Sequence, residues 1–203
     1  MAWFFDVLGK RFKVKEPAYL HKDAMLDHLG MVLLEDEEGT YLTMQSYIEV
    51  MLKRLGVDAG GRSIQVPMSQ PITDLTPCND DERKQFMSAA GMVGWLSATG
   101  RPELRLYHSR VARYMANPVK GALEAVIRIV RYAGQTKDLC LFQPWGSDDV
   151  SWHFYSDSDQ SGNREEGNKC RSQLSYIAMR GRAPIVFGSK TTSVQLGPDL
   201  DSL

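Results

Sequence analysis

Residues 152–163, WHFYSDSDQSGN, place Asp157 and Asp159 two positions apart at the end of an aromatic-flanked, strand-like run. On an extended backbone such residues share a face, so the two carboxylates project together. A pair of this kind can hold a divalent cation, which takes several hard oxygen ligands. It can equally cap a strand before a solvated Gly/Asn loop. The stretch alone leaves both readings open. The other ligand types offer no support, because His21, His28, His108 and His153 show no metal-ligand spacing. Cys78, Cys140 and Cys170 are widely separated and form no C-x-x-C pattern, which argues against a zinc site and a disulfide framework and suits a reducing intracellular setting.

The second group of chemically suggestive residues is cationic. The formal net charge is −1, but the segment from Arg101 to Lys137 carries eight basic and two acidic residues, leaving 16 basic and 23 acidic elsewhere. Such a local field attracts polyanions whatever the net charge. Arg101, Arg105, Ser109 and Arg113 follow one another at four-residue steps, and Lys120, Arg128 and Arg131 share another helical face. Two helices with apolar backs and cationic fronts can track a phosphate backbone. The alternative is a solvated face that carries Arg and Lys for solubility.

The elements that must position these groups follow from periodicity. A chain of 203 residues with 43% hydrophobic and 24% charged residues is an ordinary globular composition, sufficient for one large or two small domains. It contains no run suited to a membrane span and no signal peptide. A short apolar helix or strand, WFFDVLGKRFKV, comes first. The runs HLGMVLL and TYLTM flank Asp36, Glu37, Glu38 and Gly39, a hairpin tip. Met44, Tyr47, Ile48, Met51, Leu52 and Leu55 then predict an amphipathic helix, with Thr43 as cap, a Glu49–Lys53 pair and Gly56 as stop. The Pro-rich VPMSQPITDLTPCN reads as a linker. A helix is expected from near Asp80, a second from Pro102 to Met115, and a third with Asn117 as cap and Gly134 as stop. Beyond Leu139 the runs LCLFQ, SWHFYSD, QLSYIAM and APIVFGS predict antiparallel strands.

In that order, from about residue 4 onward, the blocks resemble the back half of the reverse transcriptase–ribonuclease H region of copia-type LTR retrotransposon Pol polyproteins. LSATGRPELRLYHSRVARYMANP is similar to that family's Arg-Pro-Asp helix and Asn-Pro break, with Glu103 in place of Asp. ALEAVIRIVRYAGQTKDLCLF resembles its next helix and turn, and YSDSDQSG…KCRSQLSYIA…VFGSK its opening ribonuclease H strands. HLGMVLLEDEEGTYLTMQSYIEVMLKRLGV is similar to the hairpin that steadies the primer strand, together with the helix after it. The implied fold is α+β: a hairpin-and-helix portion (1–73), a helical connection (74–138) and a truncated ribonuclease H-like three-strand antiparallel sheet (139–203). Leu29, Gly30 and Met31 fall where the family steadies its primer. Arg101, Arg105, Arg113, Lys120, Arg128 and Arg131 become the expected surface for an RNA–DNA hybrid or other nucleic acid. Other Pol segments are further implied partners, with a cytoplasmic virus-like particle or the nucleus as the setting.

The resemblance also gives the carboxylates a meaning. Asp157 matches the first of four carboxylates that hold two Mg²⁺ ions in ribonuclease H folds, and Asp159 matches a further family aspartate with a supporting role. The remaining carboxylates are not matched, since the sequence stops at Leu203 and Asp199 and Asp201 precede the expected Glu-bearing turn. Gln160, Ser161 and Ser175 also depart from the pattern. The polymerase's Tyr-x-Asp-Asp turn is unmatched as well; NDDE and SDDV read as polar loops. The expectation is therefore a Pol segment that keeps hybrid-binding surface, binds Mg²⁺ weakly at Asp157 and lacks catalysis of its own. A repurposed nucleic-acid-binding or scaffold protein is one alternative, and a hydrolase completed by a second chain is another. A sheet with one face awaiting a helix should leave Phe154, Tyr176, Ile185 and Phe187 short of cover, making the C-terminal third marginal in stability or prone to associate.

Overall fold

Helix periodicity in 45–135 builds the centre of the fold, as the computed structural model shows in its description of residues 2–15, 25–146, 149–159 and 172–192. The positions His21, Gln160, Ser161, Cys170, Asp199 and Asp201 lie outside the described residues. Helix α1 (Ala2–Gly9) precedes strands β1 (Met25–His28), β2 (Met31–Glu35) and β3 (Gly39–Thr43), and helix α2 (Gln45–Leu55) follows. Helices α3 (Asp80–Thr99), α4 (Arg105–Ala112) and α5 (Lys120–Gln135) come next, with a single 3₁₀ turn at Pro102–Leu104. Strands β4 (Cys140–Pro144), β5 (Trp152–Asp159), β6 (Gln173–Arg180) and β7 (Ala183–Thr191) complete the described elements. The architecture is α+β, with two antiparallel sheets ordered β1-β2-β3-β4 and β5-β6-β7.

The core is made where α2, α3 and α5 meet. Met44, Ile48, Met51, Phe86, Val93, Leu96, Val126, Ile129 and Val130 are fully enclosed there, joined by Leu104 and Val111 from the α4 region. Local chemistry fixes the helix ends. The Asn79 side chain accepts from the N–H groups of Asp81 and Glu82, while Glu82 accepts from the Asn79 N–H, a complete capping box. Gly56 closes α2 in the left-handed conformation. Thr43 stands one residue ahead of the α2 cap position, and its hydroxyl accepts from the Gln45 N–H at 3.2 Å. Glu49 pairs not with Lys53 but with Lys137 at 2.7 Å, tying α2 to the turn after α5.

Four expected elements differ in the structure. The Pro-rich stretch is packed rather than a linker: Met68 and Ile72 are buried, and Pro77 bridges Val119. Its carbonyls cap α5 in place of Asn117, since Thr76 and Asp74 accept from the N–H groups of Lys120 and Gly121 at 2.9 and 3.1 Å. Gly121 permits that approach, because a Cβ there would sit 2.8 Å from the Asp74 carbonyl oxygen. Gly134 lies inside α5, which continues to Gln135. The helix expected over 102–115 divides into the 3₁₀ turn and the shorter α4. Finally, β4 pairs with β3 in the first sheet, where Tyr41 and Phe142 stack at 4.7 Å, rather than with the three later strands.

The second sheet has two dissimilar faces. Register places Tyr155, Asp157, Ser175, Ile177, Phe187 and Ser189 on the face toward α4, and Trp152, Phe154, Tyr176 and Val186 on the other. Every residue of β5 is exposed. Phe154 (75%), Tyr176 (42%) and Ile185 (42%) lack cover as expected, whereas Phe187 is half-buried beside α4.

Candidate functional site

The tip of the β1–β2 hairpin is a two-residue turn, with His28 opposite Met31. Leu29 and Gly30 have φ of 56° and 80°, the paired positive values of a tight I′-like hairpin turn. Gly30 adopts this freely, but Leu29 carries the steric cost of a Cβ in the left-handed region. Leu29 is also 65% exposed, so burial does not repay that strain. The tip rests on α2: a Cβ at Gly30 would lie 3.1 Å from the Tyr47 ring. The Tyr47 hydroxyl in turn donates to the Met92 carbonyl of α3 at 3.2 Å, and burial pushes its phenol pKa up.

The first cationic row is not a free front. Arg101 is 1% exposed, with its Nε donating to Glu103 at 2.6 Å and its other nitrogens to the carbonyl and hydroxyl of Thr136 at 3.1 and 2.6 Å. Its guanidinium also lies 5.9 Å from the centre of the Tyr132 ring. Arg101 is thus removed from the expected contact surface and joins the start of the α4 region to the end of α5. Arg113 donates to Gln173 and Thr191 at 2.8 and 3.1 Å, and Gln173 donates to Ser109 at 3.2 Å. The row Arg105–Ser109–Arg113 is therefore the seam on which the second sheet docks. Four-residue spacing correctly put these side chains on one face, but the sheet occupies that face.

Asp157 lies on the seam side. Its neighbour across the ladder is Ser175, whose hydroxyl is 2.8 Å from that of Ser189. Asp157, Glu103 and Arg105 line a cleft of about 510 Å³ between the sheet and α4, walled by Tyr155, Ile177 and Phe187. Asp159, opposite Gln173, shares the strand face but does not line the cleft.

The hairpin, the connecting helices and the acid-bearing strand thus occur in the order expected of a Pol segment, and sequence comparison agrees. The chain is 28% and 29% identical, over 187 residues and 91% of its length, to the retrovirus-related Pol polyproteins of the Arabidopsis thaliana transposons RE2 and RE1. It is 24% identical over 165 residues, 80% of its length, to a putative transposon Ty5-1 protein of Saccharomyces cerevisiae. The chain is similar to retrotransposon Pol polyproteins. It spans 12% of the length of the two Arabidopsis relatives and 52% of the yeast one. No family model matches it, and no solved structure does.

In this Pol-related chain the Mg²⁺ implied by the family does not fit the described residues. A hard divalent ion needs several oxygen donors around it. Among the described residues no group of three or more His, Cys, Asp or Glu could hold a metal ion, and Asp157 and Asp159 are solvent-exposed. The second cationic set differs from the first. Arg131 is exposed on α5, Arg128 is half-buried with one nitrogen donating to the Val66 carbonyl at 3.3 Å, and Lys120 lies 3.7 Å from Glu82. No described helix is long and apolar enough to cross a membrane.

Sequence reading missed the seam residues Gln173 and Thr191. The signal was faint: polar residues on the inward alternation of two strands, which matter only once α4 supplies Arg113. It also passed over Gly188, whose missing side chain lets the Tyr176 ring lie across β7.

Proposed function

We propose that this chain is a retrotransposon Pol segment that grips an RNA–DNA hybrid without cleaving it by itself. Leu29–Met31 bear on one strand, and Lys120, Arg128 and Arg131 neutralise phosphates. The observation that carries this reading is Leu29, an exposed apolar residue held in a strained turn above an anchored tyrosine. Strain of this sort persists where it serves a contact. Kinship with transposon Pol polyproteins supports a nucleic-acid partner.

The test is binding of a labelled hybrid by the full chain at low and moderate salt, with and without Mg²⁺, following RNA cleavage in the same samples. Salt-dependent binding without cleavage is expected. Leu29→Asn should stabilise the fold by about 1 kcal/mol through relief of strain, yet weaken hybrid binding. Arg128→Glu should weaken binding and flatten its salt dependence, whereas Asp157→Asn should leave affinity unchanged. Metal-dependent cleavage lost in Asp157→Asn would refute the non-catalytic reading.

A further inference from the structure

The tip of the β1–β2 hairpin owes its place to the order of the elements around it. Thr43, the last residue of β3, stands opposite Val32, so the first turn of α2 emerges beside the tip. Thr43 also fixes that turn: its hydroxyl accepts from the Gln45 N–H, while the Ile48 N–H donates to the Met44 carbonyl at 2.9 Å. Tyr47 falls within this turn. The next residue, Ile48, is fully enclosed, whereas Tyr47 is half-buried at the edge of the core. Its ring lies against Gly30, where a Cβ would come within 3.1 Å of it, and its hydroxyl reaches the Met92 carbonyl of α3. The side chain thus stands between the tip and the helices. A leucine would fill the core edge but reach only part of that span.

We infer that Tyr47 is the positioning residue of the tip, its ring holding Leu29 and Gly30 in their paired left-handed conformations. This deepens the hybrid-grip reading and rests on it for the part that concerns binding. A two-residue turn with both φ values positive is ordinarily built from Asn-Gly or Asp-Gly, because a larger side chain's Cβ crowds the following carbonyl there. The pairing of His28 with Met31 sets the length of the turn but not its type. A type I turn of the same length, with both φ values negative, would relieve Leu29. It would also turn the Gly30 backbone over, and the Tyr47 ring occupies the space beside it. Met31 packs its side chain against the core, which ties down the third tip residue and leaves Leu29 as the one the turn presents.

The test reads the tip directly and then through binding. In the full chain, amide relaxation measured by NMR should give Leu29 and Gly30 order parameters of about 0.85, falling below about 0.6 in Tyr47→Leu with α3 and α5 unchanged. Tyr47→Phe keeps the ring and should restore the ordered tip. Tyr47→Met carries the same prediction as Tyr47→Leu and is read where that variant fails to fold. With a labelled RNA–DNA hybrid, Tyr47→Leu should weaken binding by roughly fivefold yet add nothing in a Leu29→Asn background, since it acts through the tip. An ordered tip in Tyr47→Leu, or a loosened one that Tyr47→Phe fails to restore, would overturn the inference whatever the hybrid does. So would losses that simply add in the double variant, because Tyr47 would then affect binding through the fold alone. A tip loosened by Tyr47→Leu in a chain that binds no hybrid would refute the grip and leave the hold of Tyr47 on the turn standing.

Discussion

The helical layer and the second sheet draw on similar apolar residues and end in opposite states. Along α5, Ala122, Val126, Ile129, Val130 and Ala133 are fully enclosed between α2 and α3, whereas along β5 Trp152, Phe154 and Tyr155 are more than half exposed. Burying a side chain of this size contributes about 1.5–3 kcal/mol, so most of the chain's stability resides in the helices. The sheet is held by its ladders and by one polar seam to α4. A side chain's hydrophobicity becomes stability only where a second layer covers it.

The contrast can be broken at its centre by paired truncations. Phe86→Ala should cost about 3–5 kcal/mol, and Phe154→Ala no more than about 0.5 kcal/mol, both from urea denaturation. Comparable losses would mean that the sheet face is covered in solution. Arg101→Ala tests whether the buried arginine is structural. Removing it takes three hydrogen bonds, from Glu103 and from the Thr136 carbonyl and hydroxyl, and empties a buried site, so a loss of about 2–3 kcal/mol is expected by the same method. A change within experimental error would return Arg101 to the surface row.

Arg113→Ala sharpens the comparison at the seam. A loss of about 1–2 kcal/mol is expected, seen in native-state hydrogen exchange as faster exchange in β6 and β7 with α3 and α5 unchanged. Uniform acceleration would show that sheet and helices open together. The smallest effect concerns His108 on α4, packed against Gly94 of α3. Burial and then the nearby Arg105 charge hold its pKa below the ordinary value, against a backbone hydrogen bond at Ala90. The unfolded chain takes up this proton more readily, so the stability it confers is present above about pH 6.5 and declines as pH falls from there toward the lowered folded value. His108→Gln should flatten that part of the stability profile; an unaltered profile would place the dependence elsewhere.

Much of the fold was legible because its signals are local. The start of α3 near Asp80, the stop at Gly56 and the hairpin tip at Asp36–Gly39 each depend on residues a few positions apart. Helix capping, turn geometry and face periodicity act over that range. The candidate site was legible in identity but not in setting. Four-residue spacing put Arg101, Arg105 and Arg113 in one row, but could not show that Arg101 turns into the core or that a sheet lies opposite the other two.

The sequence by itself determined most element types, the shared face of Asp157 and Asp159, and the resemblance to Pol polyproteins, whereas the turn at Leu29–Gly30 interrupts what reads as one strand-like run, HLGMVLL. Tertiary structure decided that the Pro-rich stretch caps α5, that β4 joins the first sheet, and that Arg101 is buried while Arg131 is exposed. It also decided that the Arg105–Arg113 row is a seam rather than an open front. The reason is physical: a local pattern fixes which side chains share a face, whereas burial depends on an element far along the chain, as with Arg101 and Thr136, 35 residues apart, and Arg113 and Gln173, 60 residues apart.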